Sequence, residues 1–396
     1  MNTVAVGVIG AGFSASLQTE GLKKVYGIDV TIVAVAASTA ESARKFAKRH
    51  HIATAYADYR DLLADAVIDV VCICVPNFLH AAVAIEAAQA GKHIICEKPL
   101  TGAFGNNRGM TGASRANAEA KLVAASVEQL GAALEKSGVL FMYAENWVYA
   151  PAMTKTKALI DLSKGAILDI RAEESHSGSH AVRTRRRETA GGGALLTLGS
   201  HAIGAAIHLK NYEAQISAGE PIRVSSVTAD VATFSDHPGT GSASSNRWLV
   251  EDWVDVERWA NVVLGFTDGT RAIITASFAM LGGVRNRFEV YTTNAAFRGN
   301  MTPNDGLLVF TPDKNAFGDE YLHEKVESRA GWNSASPDED WVRGYPQEMQ
   351  DFMKCVVEGT QPISGFALAR DVVDVIYASY VSAEEGRRVD LLTADH

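Results

Sequence analysis

Unbroken apolar runs recur through the first 150 residues, at Val4–Ile9, Val30–Ala36, Val67–Val75, His93–Cys96 and Val139–Tyr143. They do not alternate apolar with polar positions, which marks strands buried on both faces. Between them, Ser16–Val25, Ala40–His50, Tyr59–Ala64, His80–Ala90 and Ala116–Ser137 read as helices. Strand and helix in alternation predict a parallel, doubly wound sheet with right-handed crossovers. From Pro151 the texture changes. A helix over Ala152–Leu162 leads into strand-like stretches at Ile167–Glu174, Val224–Phe234, Arg258–Phe266, Thr270–Phe278 and Phe288–Thr293. Thr267-Asp268-Gly269-Thr270 is a hairpin turn between two of them. These predict a large, mostly antiparallel open sheet. Helical stretches at Tyr345–Glu358 and Phe366–Arg387 follow. The expected organisation is residues 1–145, residues 146–365, and a C-terminal helical segment, 366–396, that packs back on the first unit.

Composition narrows the function classes. A chain of 396 residues, 47% of them hydrophobic, suits two domains with a sizeable core. No apolar run approaches the length of a membrane span. The chain enters a strand at once, without the basic-then-apolar pattern of a secretory leader, so a cytoplasmic location is expected. A net charge of −9 argues against nonspecific nucleic-acid binding. Cys72, Cys74 and Cys96 fall in strands, lack metal-knuckle spacing, and are expected as reduced thiols. Two stretches, Thr101–Ser114 and Ser235–Asn246, are rich in Gly, Ser or Asn and read as loops. The first suits either a lid over a site or a surface insertion.

Directly after the first strand comes Gly10-Ala11-Gly12-Phe13-Ser14-Ala15, which fits G-x-G-x-x-A. Gly10 allows a tight turn, Gly12 lets the backbone approach a pyrophosphate, and Ala15 lets the next helix pack closely. The N–H groups at that helix start would hold phosphates. With strands on either side, this is a Rossmann-type βαβ unit for a dinucleotide. The second strand ends Ala36-Ala37-Ser38-Thr39, where a ribose-binding acid is the usual signal for NAD. Ser38 and Thr39 leave room for a 2′-phosphate, with Arg44 nearby, which tilts the choice between NAD and NADP towards NADP. The same residues also suit a helix cap, with Glu41 in the first turn.

Four further motifs carry a family resemblance. They are Val75-Pro76-Asn77-Phe78-Leu79-His80, Cys96-Glu97-Lys98-Pro99-Leu100, Asn146-Trp147-Val148-Tyr149-Ala150-Pro151, and Gly191-Gly192-Gly193 leading to Thr197 and His201. Together they resemble the glucose–fructose oxidoreductase / inositol dehydrogenase / rhizopine-catabolism (Gfo/Idh/MocA) family. The resemblance implies a Rossmann domain and a C-terminal α+β domain, NAD or NADP, and hydride transfer at a hydroxyl of a sugar, glycoside or polyol. It implies that Lys98 and His201 are catalytic, that Glu97 sits by the nicotinamide, and that Pro76, Asn77 and His80 line the cofactor cleft. It also implies a homodimer or homotetramer built through the C-terminal sheet. One departure stands out. An aspartate usual four residues before the histidine is Thr197 here, and an acid frequent three residues after it is Gly204. Thr197 can hydrogen-bond a hydroxyl but cannot serve as a base near neutrality.

Oxidation of an alcohol needs a base with a pKa near working pH, and imidazole starts there. His201 is therefore read as the proton acceptor, with Lys98 orienting and polarising the oxygen; the reverse assignment stays open. Glu174, His176 and His180 end a strand before the glycine motif and are expected to bind substrate hydroxyls rather than a metal. Asn146, Trp147 and Tyr149, at the domain junction, are expected beside them. Two other functions stay open: a glycosidase that retains NAD and oxidises its sugar transiently, and a non-catalytic nucleotide-binding sensor.

Overall fold

The computed structural model describes residues 3–105, 110–179, 181–235, 248–302, 307–326, 328–336 and 338–391. The expected substrate ligand His180 lies outside them, as do parts of both predicted loops. The first unit runs β1 (Thr3–Ile9), α1 (Phe13–Leu22), β2 (Asp29–Ala36), α2 (Ala40–His50), β3 (Thr54–Tyr56), α3 (Tyr59–Leu63), β4 (Val70–Ile73), α4 (His80–Gln89), β5 (His93–Glu97), α5 (Gly112–Ser137) and β6 (Phe141–Ala144). Its six strands lie in the order β3-β2-β1-β4-β5-β6, and every pairing is parallel. β4 and nearly all of β1 have the full burial their apolar runs predict, whereas β2 is fully buried only over Ala34, Val35 and Ala36. The short β3 escapes the hydropathy pattern, and β4 is shorter than the apolar run around it.

The second unit contains α6 (Pro151–Ser163), β7 (Ile167–Ser175), α7 (Arg187–Ala190), α8 (Ser200–Ile216), β8 (Val224–Ala232), β9 (Trp259–Phe266), β10 (Arg271–Ser277), β11 (Arg285–Thr292), β12 (Ala296–Asn300), β13 (Leu308–Thr311), β14 (Gly331–Ser334), α9 (Glu339–Val342), α10 (Tyr345–Glu358), α11 (Phe366–Glu385) and β15 (Val389–Asp390). Seven strands form a sheet in the order β12-β11-β7-β10-β9-β8-β15. All its pairs are antiparallel except β7 with β10, so the sheet is mixed but mostly antiparallel. Alternation decides its faces from Asp169 to Glu174: Ile170, Ala172 and Glu174 of β7 are buried while Asp169, Arg171 and Glu173 between them are not. α8 packs against β7 and α6, and α11 lies against α5, α8 and β8, joining the two sheets.

The helical run Arg187–Ile216 is long and apolar enough to cross a membrane, against the expectation that no such run exists, and it is almost wholly buried inside the protein. It arises because α7, a π turn at Leu195–Gly199 and α8 follow one another with little interruption.

Candidate active site

In a doubly wound sheet, the crevice beyond the carboxyl ends of the strands is where ligands bind. Here β1 delivers the glycine turn, β4 delivers Val75, Pro76 and Asn77, β5 delivers Glu97 and Lys98, and β6 delivers Glu145 and Asn146. They open onto a cavity of about 650 Å³ whose far wall comes from the second sheet.

Gly10 has φ +124°, and a Cβ there would stand 2.3 Å from the Cys74 carbonyl oxygen, so only glycine fits the turn. A Cβ on Gly12 would meet nothing within 4 Å; the backbone there faces open space on the cavity wall. Gly12 starts α1 with no side-chain cap and no acid in the first turn. A helix start left bare in this way is positively polarised and suits a pyrophosphate. Phe13 and Ser14 also line the cavity, and Ala15 is fully buried where α1 meets the sheet. These residues fit a dinucleotide.

At the end of β2 the cap reading is realised. Thr39 Oγ1 accepts from the Ser42 backbone N–H at 3.1 Å, while Ser38 is exposed. Neither lines the cavity. His80 is buried with its ring nitrogens 2.7 Å from the Pro99 carbonyl oxygen and 2.9 Å from that of Val75. Burial lowers its pKa, and the neutral ring donates to only one of the two. Asn77 donates to the Ala190 carbonyl at 3.3 Å.

Glu97 and Lys98 are held from opposite sides. Gln18 donates to Glu97 Oε1 at 2.6 Å. Lys98 Nζ donates to the Thr197 carbonyl oxygen at 2.7 Å, and the Lys98–Pro99 bond is cis. Lys98 and His201 line the same cavity. His201 Nδ1 is 2.6 Å from Glu145 Oε1, and Nε2 is 3.9 Å from Glu174 Oε2. The Trp147 ring lies parallel to the imidazole, 8° between planes and 5.8 Å between centroids.

The buried face of the second sheet turns polar under this point. Glu174 pairs directly with Asn286 across β7 and β11, and both carry a buried oxygen, Glu174 Oε2 and Asn286 Oδ1, without a hydrogen-bond partner. Burial raises the Glu174 carboxyl, although His201 and Lys98 pull it down. His176 is pushed down to about 3 by burial. Its Nδ1 accepts from the Gly178 N–H at 2.9 Å, so the neutral ring carries its proton on Nε2.

Some expected contacts are replaced by others. Tyr149 is not part of the cavity wall: its hydroxyl donates to Asp351 Oδ2 at 2.8 Å and accepts from the Ser364 N–H at 3.0 Å. Asn146 lines the cavity but donates its amide to the Arg343 carbonyl at 2.7 Å. Trp147 is almost fully buried, with the imidazole rather than open space against its ring. Asn286, Glu145 and the segment Tyr321–Val326 are wall or support residues that the sequence reading passes over. Burial opposes ionisation of Glu324, but Arg343 Nη1 at 2.6 Å holds its carboxyl below the ordinary value. Lys325 faces the cavity with its pKa lowered by burial. Glu145 stands one residue beyond a strand end, which places it near the crevice but says nothing of its partner. Among the described residues, no group of three or more His, Cys, Asp or Glu side chains is arranged to hold a metal ion. A second groove of about 960 Å³ runs beside β11, β12 and β14 and contains none of the predicted site residues.

Comparison with known proteins finds family matches for both units. Residues 4–141 match the family described as "Oxidoreductase family, NAD-binding Rossmann fold", and residues 153–298 match the GFO/IDH/MocA C-terminal domain. The chain is 27% identical to levoglucosan dehydrogenase of Pseudarthrobacter phenanthrenivorans over 99% of both chains. It is 30% identical to trans-1,2-dihydrobenzene-1,2-diol dehydrogenase of Xenopus tropicalis over 199 residues, spanning about half the length of that protein (54%) and 50% of this chain. The fold is shared with GenD2 from gentamicin A biosynthesis, solved in complex with NAD, at a TM-score of 0.78 and 23% identity, covering 99% of this chain and 97% of that one.

Proposed function

This chain belongs to the GFO/IDH/MocA oxidoreductase family, and from that premise we propose that it is an NAD(P)-dependent dehydrogenase acting on a hydroxyl of a sugar, glycoside or polyol. The observation that carries the reading is the convergence of Lys98 and His201 on one cavity that the bare start of α1 also faces. A relative that aligns over its whole length is named for a sugar anhydride, which supports the substrate class.

In this reading Gly12, Phe13 and Ser14 hold the dinucleotide phosphates on a turn that Gly10 permits and Ala15 packs against the sheet, Pro76, Asn77 and His80 line its cleft, and Glu97 faces the nicotinamide. The lack of an acid at the end of β2, where Ser38 and Thr39 stand with Arg44 nearby, supports NADP over NAD. When bound, the nicotinamide supplies the hydride acceptor. His201 takes the hydroxyl proton on Nε2, the nitrogen left without a proton when Nδ1–H is donated to Glu145. Lys98, anchored on the Thr197 carbonyl, donates to the same oxygen and stabilises negative charge as it develops. Glu174, His176, Thr197 and Asn286 bind neighbouring hydroxyls: the orphaned oxygens of Glu174 and Asn286 accept, and His176 Nε2–H donates. Asn146 and Trp147 support this wall. The proposed units are residues 1–145 for the cofactor, 146–365 for substrate and self-association, and 366–396 as the return helix.

The test mixes purified protein with NAD or NADP and a panel of sugars, glycosides and polyols, following the absorbance of the reduced nicotinamide. Turnover with a polyhydroxylated compound, carried by one nucleotide over the other, is expected. A blank panel with nucleotide bound would overturn the reading.

A further inference from the structure

We propose that Glu145 is the positioning residue of His201, standing in for the carboxylate that neither Thr197 nor Gly204 supplies. The inference rests on the dehydrogenase reading for its consequence in turnover, but its geometry stands apart from it.

Glu145 is fully buried one residue beyond β6, with its Oε1 2.6 Å from His201 Nδ1. An ionised carboxylate accepts and does not donate, so this contact places the proton on Nδ1 and leaves the Nε2 lone pair towards the cavity. Oε1 also accepts a long bond from the Trp147 backbone N–H at 3.4 Å, Oε2 is buried without a hydrogen-bond partner, and the Trp147 ring lies along the imidazole face. The imidazole is thus held at one nitrogen and along one face, which sets both tautomer and direction.

The second observation comes from α8. A Cβ built on Gly204 would stand 3.2 Å from Glu145 Cγ and 3.4 Å from its Cδ and Oε2. Gly204, one helical turn beyond His201, faces the volume that the Glu145 side chain fills. An acid growing from position 204 and the acid growing from position 145 would compete for the same space. This chain fills it from the strand side and keeps position 204 bare. The cost is a glycine inside a helix, where alanine is otherwise preferred, and the gain is room for the carboxylate. Lys98 needs no acid at 197 either, because it uses the backbone carbonyl there. Lys98 is thus held by a backbone carbonyl and His201 by Glu145, with no acid at position 197 or 204.

The test uses the full-length protein with bound nucleotide, and two variants, Glu145→Gln and Gly204→Ala. The ring ¹⁵N shifts of His201, assigned with His201→Asn, report its tautomer without any turnover. The wild type is expected to carry the proton on Nδ1, and Glu145→Gln to show a mixture of tautomers. With a panel substrate, Glu145→Gln is expected to lower kcat by about 10-fold or more, towards the roughly 10⁴-fold loss that follows when the carboxylate orienting a general-base histidine becomes an amide, with KM nearly unchanged. Gly204→Ala retains the carboxylate but presses on it, and is expected to lower kcat while keeping nucleotide affinity. A wild-type ring protonated on Nε2, or a Glu145→Gln enzyme with full kcat, overturns the proposal. A blank substrate panel counts against the dehydrogenase reading alone, and the ¹⁵N measurement still decides the role of Glu145.

Discussion

Lys98 Nζ and the Thr197 carbonyl oxygen lie 2.7 Å apart, so this lysine is anchored to backbone rather than to a side chain. Replacing the threonine side chain leaves that anchor in place. Thr197→Val is expected to keep kcat and to raise KM by the equivalent of one neutral hydrogen bond, about 0.5–1.5 kcal/mol. Steady-state kinetics check it; a collapse of kcat would mean the hydroxyl takes part in the chemistry.

The two glycines of the first turn should fail differently. Gly10→Ala meets both a positive φ and the Cys74 carbonyl at 2.3 Å, so the turn must move and Tm must fall, by the equivalent of about 2 kcal/mol or more. Gly12→Ala meets nothing within 4 Å and should leave Tm without nucleotide unchanged. Its methyl enters the space proposed for the pyrophosphate, so nucleotide affinity should drop at least tenfold, about 1.4 kcal/mol. Calorimetry with and without nucleotide separates the two. Equal nucleotide affinity in Gly12→Ala would place the cofactor elsewhere.

A buried ion network secures the glycine motif ahead of His201. Glu257 Oε1 accepts from the Gly193 N–H at 2.9 Å, the Leu195 N–H at 3.0 Å and Tyr380 Oη at 2.7 Å. Arg187 binds Glu119 through Nε at 2.9 Å and lies 3.8 Å from Glu257. Arg187→Met removes the close ion pair of buried Glu119, leaving it only Arg115 Nε at 4.0 Å, and takes the cation from Glu257, which should cost about 3 kcal/mol in chemical denaturation. A loss below about 1 kcal/mol would show that the network is not essential to stability.

Of these features, the parallel sheet and the motif turns were legible from local pattern, because continuous apolar runs and Gly10, Gly12, Lys98 and His201 carry their signal within a few residues. Glu145 was not, because its partner lies 56 residues away and nothing local tells an acid that orients a histidine from one that faces solvent. The wall from Tyr321 to Val326 has no repeating pattern and gains its meaning only through Arg343 and the sheet beneath it. Thr39 shows the opposite limit: a capping hydroxyl and a phosphate-binding hydroxyl look alike in sequence, and the observed bond to Ser42 shows the capping role. The helix over Ser200–Ile216 carries no apolar stripe, because it is buried on nearly every side and its polar residues, His201, His208, Lys210 and Glu213 among them, are buried with the apolar ones.

Acid should weaken the fold through buried neutral histidines. Burial and the neighbouring Lys157 push His208 from 6.5 down to about 3, and Lys157 donates to its Nε2 at 2.9 Å. The unfolded chain takes up this proton near its ordinary pKa while the folded chain resists it, so stability is lost as pH falls from about 6.5 towards 3, by up to about 1.4 kcal/mol per pH unit for this group. His208→Gln keeps an acceptor for Lys157 and should flatten the fall in Tm between pH 6.5 and pH 4. An unchanged slope would remove His208 as its source.

The central claim is that the cavity joining Lys98 and His201 is where hydride transfer is catalysed. The most direct measurement takes the best substrate from the panel and compares wild type, Lys98→Ala and His201→Asn for nucleotide affinity and for kcat side by side. Nucleotide affinity within a few-fold of wild type in both variants, with kcat lowered about 10²-fold or more in each, is the predicted result. Turnover that survives both substitutions would contradict it and move the chemistry out of this cavity.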